Sequence, residues 1–232
     1  MTWNVWTLVK TALVGALLLL NPQQHSAGVQ AHGFLAVPQA RNVQRNSYWC
    51  PQCLNAGGAW AVGLRGHGLC GDPGDMTPPR DHEAFGSLAN PPVIAGVYKP
   101  GATIPVKVTL TANHKGRWSL KLCPIPGGGS PTAEAKTLTQ TCLDAHPLLR
   151  ADTKAPYTYV PPSVSSFEVA YKLPPKITCK RCVLQWFYET GNSCTPPGTP
   201  AAFATPFLGT CGAPNAAAGE AFWNCADISI AK

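Results

Sequence analysis

The sequence predicts an all-β fold, an antiparallel β-sandwich with long loops pinned by disulfides. Three observations support this prediction. Several segments alternate apolar and polar residues with a period of two, which is typical of half-buried strands. The chain contains 24 prolines and 22 glycines and shows almost no amphipathic helical pattern. Its ten cysteines, an even number, allow as many as five cross-links in an oxidising compartment.

The first 31 residues have the organisation of a secretory signal peptide. Lys10 precedes an apolar run of ten residues, Thr11 to Leu20, and Val29-Gln30-Ala31 fits a small-x-small cleavage pattern. The run is well short of the roughly 20 residues needed to span a bilayer, which disfavours an uncleaved anchor. We therefore expect a signal peptide over 1–31, a secreted protein, and a single domain over 32–232. Cleavage after Ala27 is the alternative.

The net charge of the mature chain bears on which classes of partner it can bind. The whole sequence has a formal charge of +7, and loss of Lys10 with the leader leaves 17 basic against 11 acidic residues, or +6. A basic surface suits an anionic partner, although it can equally serve only to keep the protein in solution. Lysine and arginine form no dense run with interleaved aromatic residues. We therefore predict that the protein binds neither nucleic acid nor membrane. We also expect a monomer.

The mature chain begins with an irregular region. Residues 32–75 are rich in glycine, proline and asparagine and hold three cysteines, so at least one cysteine must pair elsewhere. Residues 73–105 continue in the same style, with three proline-containing dipeptides that break regular structure. We expect a loop-rich, cross-linked excursion before the first clear strand.

Strand patterns begin at Thr103. Apolar and polar side chains alternate over 103–110 and again over 117–122. Because only the Asn- and Gly-containing stretch 111–116 separates these segments, we expect them to form a β-hairpin. The next connection, 124–162, has the length of a functional or disulfide-pinned loop. Further strands are predicted over 167–172, 182–188 and 224–230.

The cysteine spacing favours disulfides over metal or redox motifs. Two pairs, Cys50 with Cys53 and Cys179 with Cys182, have the CxxC spacing of zinc ligands, but they lie far apart in sequence. Neither pair opens a helix after a buried strand, which disfavours a thioredoxin-like role. Spacing does not give the connectivity. Two other pairs would close local loops: Cys123 with Cys142, and Cys194 with Cys211.

Two of the five histidines beyond the leader are candidate metal ligands. Cleavage after Ala31 would make His32 the first residue, with a free α-amino group and an imidazole that together form a chelate. His114 lies at the tip of the predicted hairpin, which would aim it at an edge of the sandwich. Three nitrogens at the corners of a square-planar or tetragonal centre favour copper, with zinc as the alternative. A surface or hydrogen-bonded role is expected for the others: His67, His82 and His146.

A resemblance to a known family rests on five motifs that occur in order along nearly the whole mature chain. They are His32-Gly33-Phe34 with Pro38-Gln39-Ala40-Arg41-Asn42, then Leu69-Cys70-Gly71-Asp72, 110–116, 185–192 and 222–228. The sequence resembles the lytic polysaccharide monooxygenases, most closely the branch of invertebrate chitin- and cellulose-active enzymes and the oomycete pectin-active group. The order and coverage make this resemblance more specific than any single motif.

The resemblance implies an immunoglobulin- or fibronectin III-like sandwich that holds one copper ion in a histidine brace. His32 would supply its amino nitrogen and a ring nitrogen, and His114 the third nitrogen. Phe222 falls at the axial aromatic position, where some relatives have tyrosine, and Ala112 resembles the small residue that crowds the other axial approach. Ordinary packing is the alternative for both. Three residues are candidates for hydrogen bonding to an oxygen species at copper: Gln185, Glu189 and Glu220.

The activity that the resemblance implies is oxidative cleavage of glycosidic bonds in a polysaccharide. An external reductant converts Cu(II) to Cu(I), hydrogen peroxide or dioxygen is the oxidant, and a C–H bond at C1 or C4 is hydroxylated. The resemblance and the +6 charge favour pectic homogalacturonan as substrate, while chitin and cellulose stay open. A non-catalytic copper- or carbohydrate-binding protein with the same brace is the main alternative. A hydrolase is disfavoured because the 11 acidic residues show no clear catalytic pair.

Overall fold

The computed structural model describes residues 32–44, 50, 52–214 and 216–232; the predicted signal peptide lies outside these residues. Nine strands occur in the described part of the chain. They are β1 His32–Val37, β2 Ile94–Tyr98, β3 Thr103–Ala112, β4 Arg117–Ile125, β5 Leu149–Arg150, β6 Tyr157–Tyr159, β7 Ser166–Lys172, β8 Cys179–Glu189 and β9 Ala221–Ile230.

Helices are few and short. They are α1 Arg41–Gln44, α2 Ala59–Arg65, α3 Pro131–Thr137 and α4 Gln140–Asp144, with one 3₁₀ turn at Pro126–Gly128. Ser130 and Thr139 cap α3 and α4, since each side-chain oxygen accepts a hydrogen bond from a backbone N–H in the first turn. Within the described residues, no helix has the length and apolar character needed to cross a bilayer.

The strands form two packed sheets. One has the order β1-β3-β7-β5 and the other β2-β9-β8-β4-β6. All neighbouring strands run antiparallel except β2 and β9, which are parallel. The predicted all-β sandwich with disulfide-linked loops is confirmed.

The main core lies between the sheets and follows the period-two pattern of the sequence. Ile104, Val106 and Val108 on β3 are fully buried and alternate with exposed neighbours. Strand β8 is buried on both faces, and on its outer side Val183 packs in a second cluster with Leu143 of α4. Burial of each such aliphatic side chain contributes roughly 1.5–3 kcal/mol.

The predicted hairpin over 103–122 is wrong. Strand β3 pairs with β1 and β7, whereas β4 pairs with β6 and β8 in the other sheet, so residues 113–116 cross between sheets. Lys115 and Gly116 both have positive φ, and a Cβ on Gly116 would lie 2.0 Å from Glu189 O. This tight turn lets the chain cross a gap of about 10 Å. His114 therefore lies on the bridge between sheets and not at a hairpin tip.

All ten cysteines form disulfides. The two predicted local loops, Cys123–Cys142 and Cys194–Cys211, are confirmed. Each CxxC pair is linked within itself, so neither serves as a zinc or dithiol site. The remaining bridge, Cys70–Cys225, spans 155 residues and joins the irregular N-terminal region to β9. Closing so long a loop restricts the unfolded chain strongly.

Four buried charged side chains tie the helices to the five-stranded sheet. Arg41 on α1 donates from Nε to Asp227 Oδ2 at 2.7 Å and from Nη2 to Oδ1 at 2.7 Å. Its Nη1 also donates to Glu134 Oε1 on α3 at 3.0 Å. Arg181 on β8 pairs with both carboxylates, at 3.0 Å to Asp227. Two positive and two negative groups therefore balance inside the protein.

Candidate metal centre

The first described residue, His32, lies beside the end of β3. Pairing of β1 with β3 places its Cα opposite that of Ala112. Gly33 allows the close approach, because a Cβ there would lie 2.5 Å from Leu110 Cδ2 and 3.2 Å from Thr109 O. His32 itself is half-buried at this edge. His32, the predicted ligand, and Ala112, the predicted axial neighbour, thus lie opposite each other across the strand pair.

The second candidate ligand, His114, approaches the same edge from the inter-sheet bridge. Its carbonyl accepts a hydrogen bond from Gly191 N at 2.8 Å, and His114 is only 8% exposed. Burial lowers the pKa of His114 most; Glu220 opposes this shift and His32 adds to it, so the pKa stays below its ordinary value. His114 is therefore close enough to Glu220 and His32 to interact with both electrostatically. A neutral imidazole is the form that binds a metal.

Phe222 forms the buried side of this edge. Its ring centroid lies 6.3 Å from that of His32 in an edge-on arrangement, and the residue is fully buried. It also stacks on Tyr188 at 6.1 Å, and Tyr188 donates from its hydroxyl to Lys115 O at 2.7 Å. Phe222 is thus both a core residue and the apolar neighbour of His32, and the two interpretations of this residue are compatible.

The donor set at this edge fits copper. Within the described residues, no group of three or more His, Cys, Asp and Glu side chains could hold a metal ion. A metal held by the imidazoles of His32 and His114 would therefore need a donor from the main chain. The α-amino group that cleavage before His32 would expose is such a donor, and two imidazoles with one amine would suit copper among the biological metals.

Of the three acidic or amide candidates, the structure brings only Glu220 to this edge. Glu220 interacts electrostatically with His114, and its Oε1 accepts from Asn55 Nδ2 at 3.0 Å. Gln185 lies on the opposite face of β8 from Tyr188 and donates to Leu69 O at 2.7 Å. Glu189 also lies on that outer face.

The carboxylate of Glu189 is engaged in an ion pair. Its Oε2 accepts from Arg117 Nε at 2.8 Å, and the Arg117 guanidinium also lies over the Tyr157 ring, 3.9 Å from its centroid. The structure therefore does not bring Gln185 or Glu189 together with the two histidines.

The other histidines have packing or hydrogen-bonding partners, in line with the sequence-based expectation. His67 stacks on Trp223 with ring centroids 4.2 Å apart. His82 pairs through Nδ1 with Asp72 Oδ1 at 2.7 Å. His146 lies beside β4, where its carbonyl accepts from Leu122 N.

One neighbour of the site was missed by sequence reasoning. Asn192 lies with its Nδ2 2.5 Å from His114 Nδ1. It follows β8 in the motif Thr190-Gly191-Asn192, which contributes to the family resemblance but predicts no role for Asn192. Its contact with His114 joins residues 78 positions apart in sequence, a separation that no local pattern reports.

A disulfide-linked β-sandwich with two imidazoles and the start of a strand at one edge has the donor types that a metalloprotein with a nitrogen-ligand centre requires. Residues 32–228 match the family model described as "Lytic polysaccharide mono-oxygenase, cellulose-degrading". The chain belongs to the lytic polysaccharide monooxygenase family. This family consists of copper-dependent enzymes that act on polysaccharides.

One solved structure of the family is similar to this chain over most of its length. The lytic polysaccharide monooxygenase AA15 from Thermobia domestica in the Cu(I) state has 29% sequence identity and a TM-score of 0.69, covering 86% of this chain and 98% of its own. A chitin-binding domain from Burkholderia pseudomallei has 17% identity and a TM-score of 0.45, covering 87% and 100%. The cellulose-active CelS2 in complex with copper has 16% identity and a TM-score of 0.40, covering 86% of this chain and 99% of its own. These last two are too distant to bear on function. No curated protein sequence matches the chain.

Proposed function

We propose that this chain is a secreted, monomeric, copper-dependent enzyme that oxidatively cleaves a plant cell-wall polysaccharide, with pectic homogalacturonan as the best candidate. Family membership supports the general chemistry. The observation that carries the proposal is the pairing of His32 with Ala112, because it brings the predicted new N-terminus to the edge where His114 lies.

His32 and His114 would hold the copper ion through the α-amino nitrogen of His32 and one ring nitrogen from each. When bound, copper supplies one-electron chemistry between an external reductant and hydrogen peroxide or dioxygen. Phe222 keeps water and ligating oxygen atoms from one side of the centre, because its fully buried ring carries no polar atom. Ala112, which is paired with His32, would place its methyl group against the opposite side of the centre and crowd that approach.

Glu220 is the side chain we propose for hydrogen bonding near the metal. Its interaction with His114 supports this role, and Asn55 Nδ2 restrains its carboxylate at 3.0 Å. A carboxylate fixed in this way can accept or hold a proton at one oxygen without swinging away from the centre.

Charge beside the centre supports an anionic substrate. Lys115 follows His114 directly, and among the described residues no carboxylate forms an ion pair with its ammonium group. The next basic residue, Arg117, is neutralised by Glu189. An unpaired cation next to the metal favours a uronate polymer, and added salt should weaken that attraction.

A neutral polysaccharide such as chitin or cellulose is the second candidate, and one observation favours it. Trp60 on α2 is 75% exposed. The segment that leads to it is joined to the metal edge, since Trp223 N donates to Leu54 O at 3.1 Å and Asn55 contacts Glu220. A flat exposed indole on a segment anchored to this edge suits stacking against neutral sugar rings.

The test begins with intact-mass and N-terminal analysis of the secreted protein. It continues with copper titration followed by electron paramagnetic resonance (EPR), and then with mass spectrometry of products from homogalacturonan, chitin and cellulose with and without reductant. We expect a chain that begins at His32, binds one copper ion and releases oxidised oligosaccharides only with reductant. His114→Ala is the matched control and should lose both copper binding and product.

A mature chain that begins at Ser26 or Gly28, or one that binds no copper, would contradict the proposal. Tight copper binding without any oxidised product would favour the non-catalytic alternative. Equal loss of activity with salt on homogalacturonan and on a neutral glucan would remove the argument from charge.

A further inference from the structure

A short turn after β8 presses one carboxamide against a candidate metal ligand. Asn192 Nδ2 lies 2.5 Å from His114 Nδ1, and Thr190 Oγ1 lies 2.7 Å from Asn192 Oδ1. Thr190 Oγ1 also lies 3.0 Å from the carbonyl oxygen of Glu220. Four groups therefore form a continuous line of contacts, from the imidazole of His114 to the carbonyl of Glu220, the residue immediately before β9.

The order of donors along this line depends on which way the carboxamide faces. With Nδ2 toward His114, ring Nδ1 must accept, so the ring proton resides on Nε2. The Thr190 hydroxyl has one hydrogen but then faces two acceptors, Asn192 Oδ1 and Glu220 O. One of its two contacts is left without a proton.

A rotation of the carboxamide by 180° exchanges its oxygen and nitrogen and resolves both problems. Nδ1–H of His114 then donates to Asn192 Oδ1, Asn192 Nδ2 donates to Thr190 Oγ1, and Thr190 Oγ1–H donates to Glu220 O. Every contact along the line then joins one donor to one acceptor. In this arrangement Nε2 of His114 has a free lone pair, which is what metal binding requires.

We propose that Asn192 is a positioning residue that holds His114 in the Nδ1–H tautomer and so presents an unprotonated Nε2 to the metal. This inference rests on the proposed role of His114 as a copper ligand. Asn192 does not touch the metal or the substrate in this account, and it acts only through the imidazole.

The turn that carries Asn192 is held firmly enough for this task. Thr190 N donates to Glu220 O at 3.0 Å, and Gly191 N donates to His114 O at 2.8 Å. Thr205 Oγ1 donates to Gly191 O at 2.6 Å. The Cys194–Cys211 disulfide fixes the chain two residues beyond Asn192. The backbone is thus anchored on both sides of the carboxamide, and through Gly191 it is bonded to His114 itself.

The direct test is the tautomer of His114 in the mature, copper-stripped protein. Long-range ¹H–¹⁵N NMR on histidine-labelled protein, at a pH where the imidazole is neutral, distinguishes Nδ1–H from Nε2–H. Wild type should show Nδ1–H, although neutral imidazole in water prefers Nε2–H. Asn192→Leu removes the acceptor at similar size and should shift the ring toward Nε2–H. Asn192→Asp keeps an acceptor oxygen and should retain Nδ1–H.

Copper affinity gives an independent measurement. Loss of an outer hydrogen-bond partner of a metal-bound histidine lowers affinity by about 10–100-fold. Asn192 is exposed at the surface, so water can partly replace it, and we expect roughly tenfold weaker binding of copper by Asn192→Leu, at the low end of that range. Its EPR spectrum should also change. Ser193→Ala is the matched control in the same turn. It removes only the longer contact of the Ser193 hydroxyl with Asn192, at 3.4 Å, and keeps the contact between Asn192 and His114, so it should alter neither quantity.

The inference and the proposed function can fail separately. A wild-type Nε2–H tautomer, or a tautomer that Asn192→Leu leaves unchanged, overturns the inference. So does unchanged copper affinity in Asn192→Leu when wild type binds copper. If wild type binds no copper, the proposed function fails, and the tautomer measurement alone then decides whether Asn192 orients His114.

Discussion

Replacement of Asp227 by asparagine tests whether the charges of the buried cluster depend on one another for compensation. Asp227 is fully buried and accepts three hydrogen bonds from guanidinium groups, two from Arg41 at 2.7 Å and one from Arg181 at 3.0 Å. Asparagine has nearly the same shape, so packing is preserved while one charge is lost. Its Nδ2 would also place a donor against guanidinium donors. The cluster would then hold two cations against the single carboxylate of Glu134.

The expected cost follows from this imbalance. Removing one partner of a buried ion pair typically costs about 3–5 kcal/mol, because the remaining charge is left uncompensated. We take about 4 kcal/mol for Asp227→Asn, since asparagine keeps one acceptor oxygen. For a domain of this size each kcal/mol lowers the unfolding midpoint by about 2–4 °C. The midpoint of Asp227→Asn should therefore fall by roughly 8–16 °C.

The assay is thermal unfolding of the copper-stripped, disulfide-intact protein, monitored by circular dichroism at neutral pH. Copper is removed because any ligand of the folded state would add its own stabilisation. The control is Asp75→Asn, which breaks the exposed pair of Asp75 with Arg65 and should leave the midpoint unchanged within error. A fall of less than about 2 °C for Asp227→Asn would refute the argument that the two guanidinium groups need Asp227 to compensate their charge.

Acid titration tests the same cluster through its second carboxylate, that of Glu134. Burial raises the pKa of Glu134, but its ion pair and hydrogen bonds with Arg41 and Arg181 outweigh burial and leave the pKa below the ordinary 4.5. The folded state therefore takes up this proton less readily than the unfolded state. Stability from Glu134 is present above pH 4.5 and is lost as the pH falls through the lowered pKa. Glu134→Gln should flatten this part of the midpoint-versus-pH curve.

Three further variants test the surroundings of the metal. Phe222→Tyr buries a hydroxyl in a fully buried position and should cost about 1–3 kcal/mol in the copper-stripped protein. It should also change the EPR spectrum of the copper form, and an unchanged spectrum would argue that Phe222 is not beside the metal. Lys115→Gln should lower binding to homogalacturonan about fivefold at low salt, from about 1 kcal/mol for two unit charges 4 Å apart in water. Equal binding to a neutral glucan by wild type and variant is the control, and no loss on homogalacturonan would contradict a uronate contact. Trp60→Ala should weaken binding to insoluble chitin or cellulose by roughly up to tenfold, measured by depletion from solution. Leu64→Ala on the same helix serves as the matched control, and an unaffected Trp60→Ala would exclude the indole from the binding surface.

The sequence revealed the strands better than their partners. Period-two alternation identified β3, β4 and β7 within a few residues, because it reports which face of a strand is buried. It does not report which strand lies alongside. Proximity in sequence suggested that β3 and β4 form a hairpin, yet Asn113 ties the end of β3 to Pro161 O and Val164 O and directs the chain into the other sheet.

The sequence predicts the candidate ligands, but it does not predict most of the residues that contact and position them. His32 and His114 follow from a cleavage pattern and a motif, both of which are local features of the sequence. The contacts that surround them join distant positions, such as Asn192 with His114 at a separation of 78 and Arg41 with Asp227 at 186. A single sequence holds no record of such pairs, because any of several polar residues could have met each partner.

The candidate centre draws its parts from different layers of the sandwich. His32 begins a strand of one sheet, Phe222 lies on a strand of the other, and His114 lies on the bridge between them. The distance from His32 to Phe222 therefore depends on how β1 sits on β9. A buried hydrogen bond fixes that relation, since Leu35 N donates to Asn224 Oδ1 across the sheets at 2.9 Å. A slip of β1 by one residue would break this bond, turn His32 to the opposite face and place a side chain where only Gly33 fits. The geometry of the centre is thus set by the register of β1, which the stacking of the two sheets enforces.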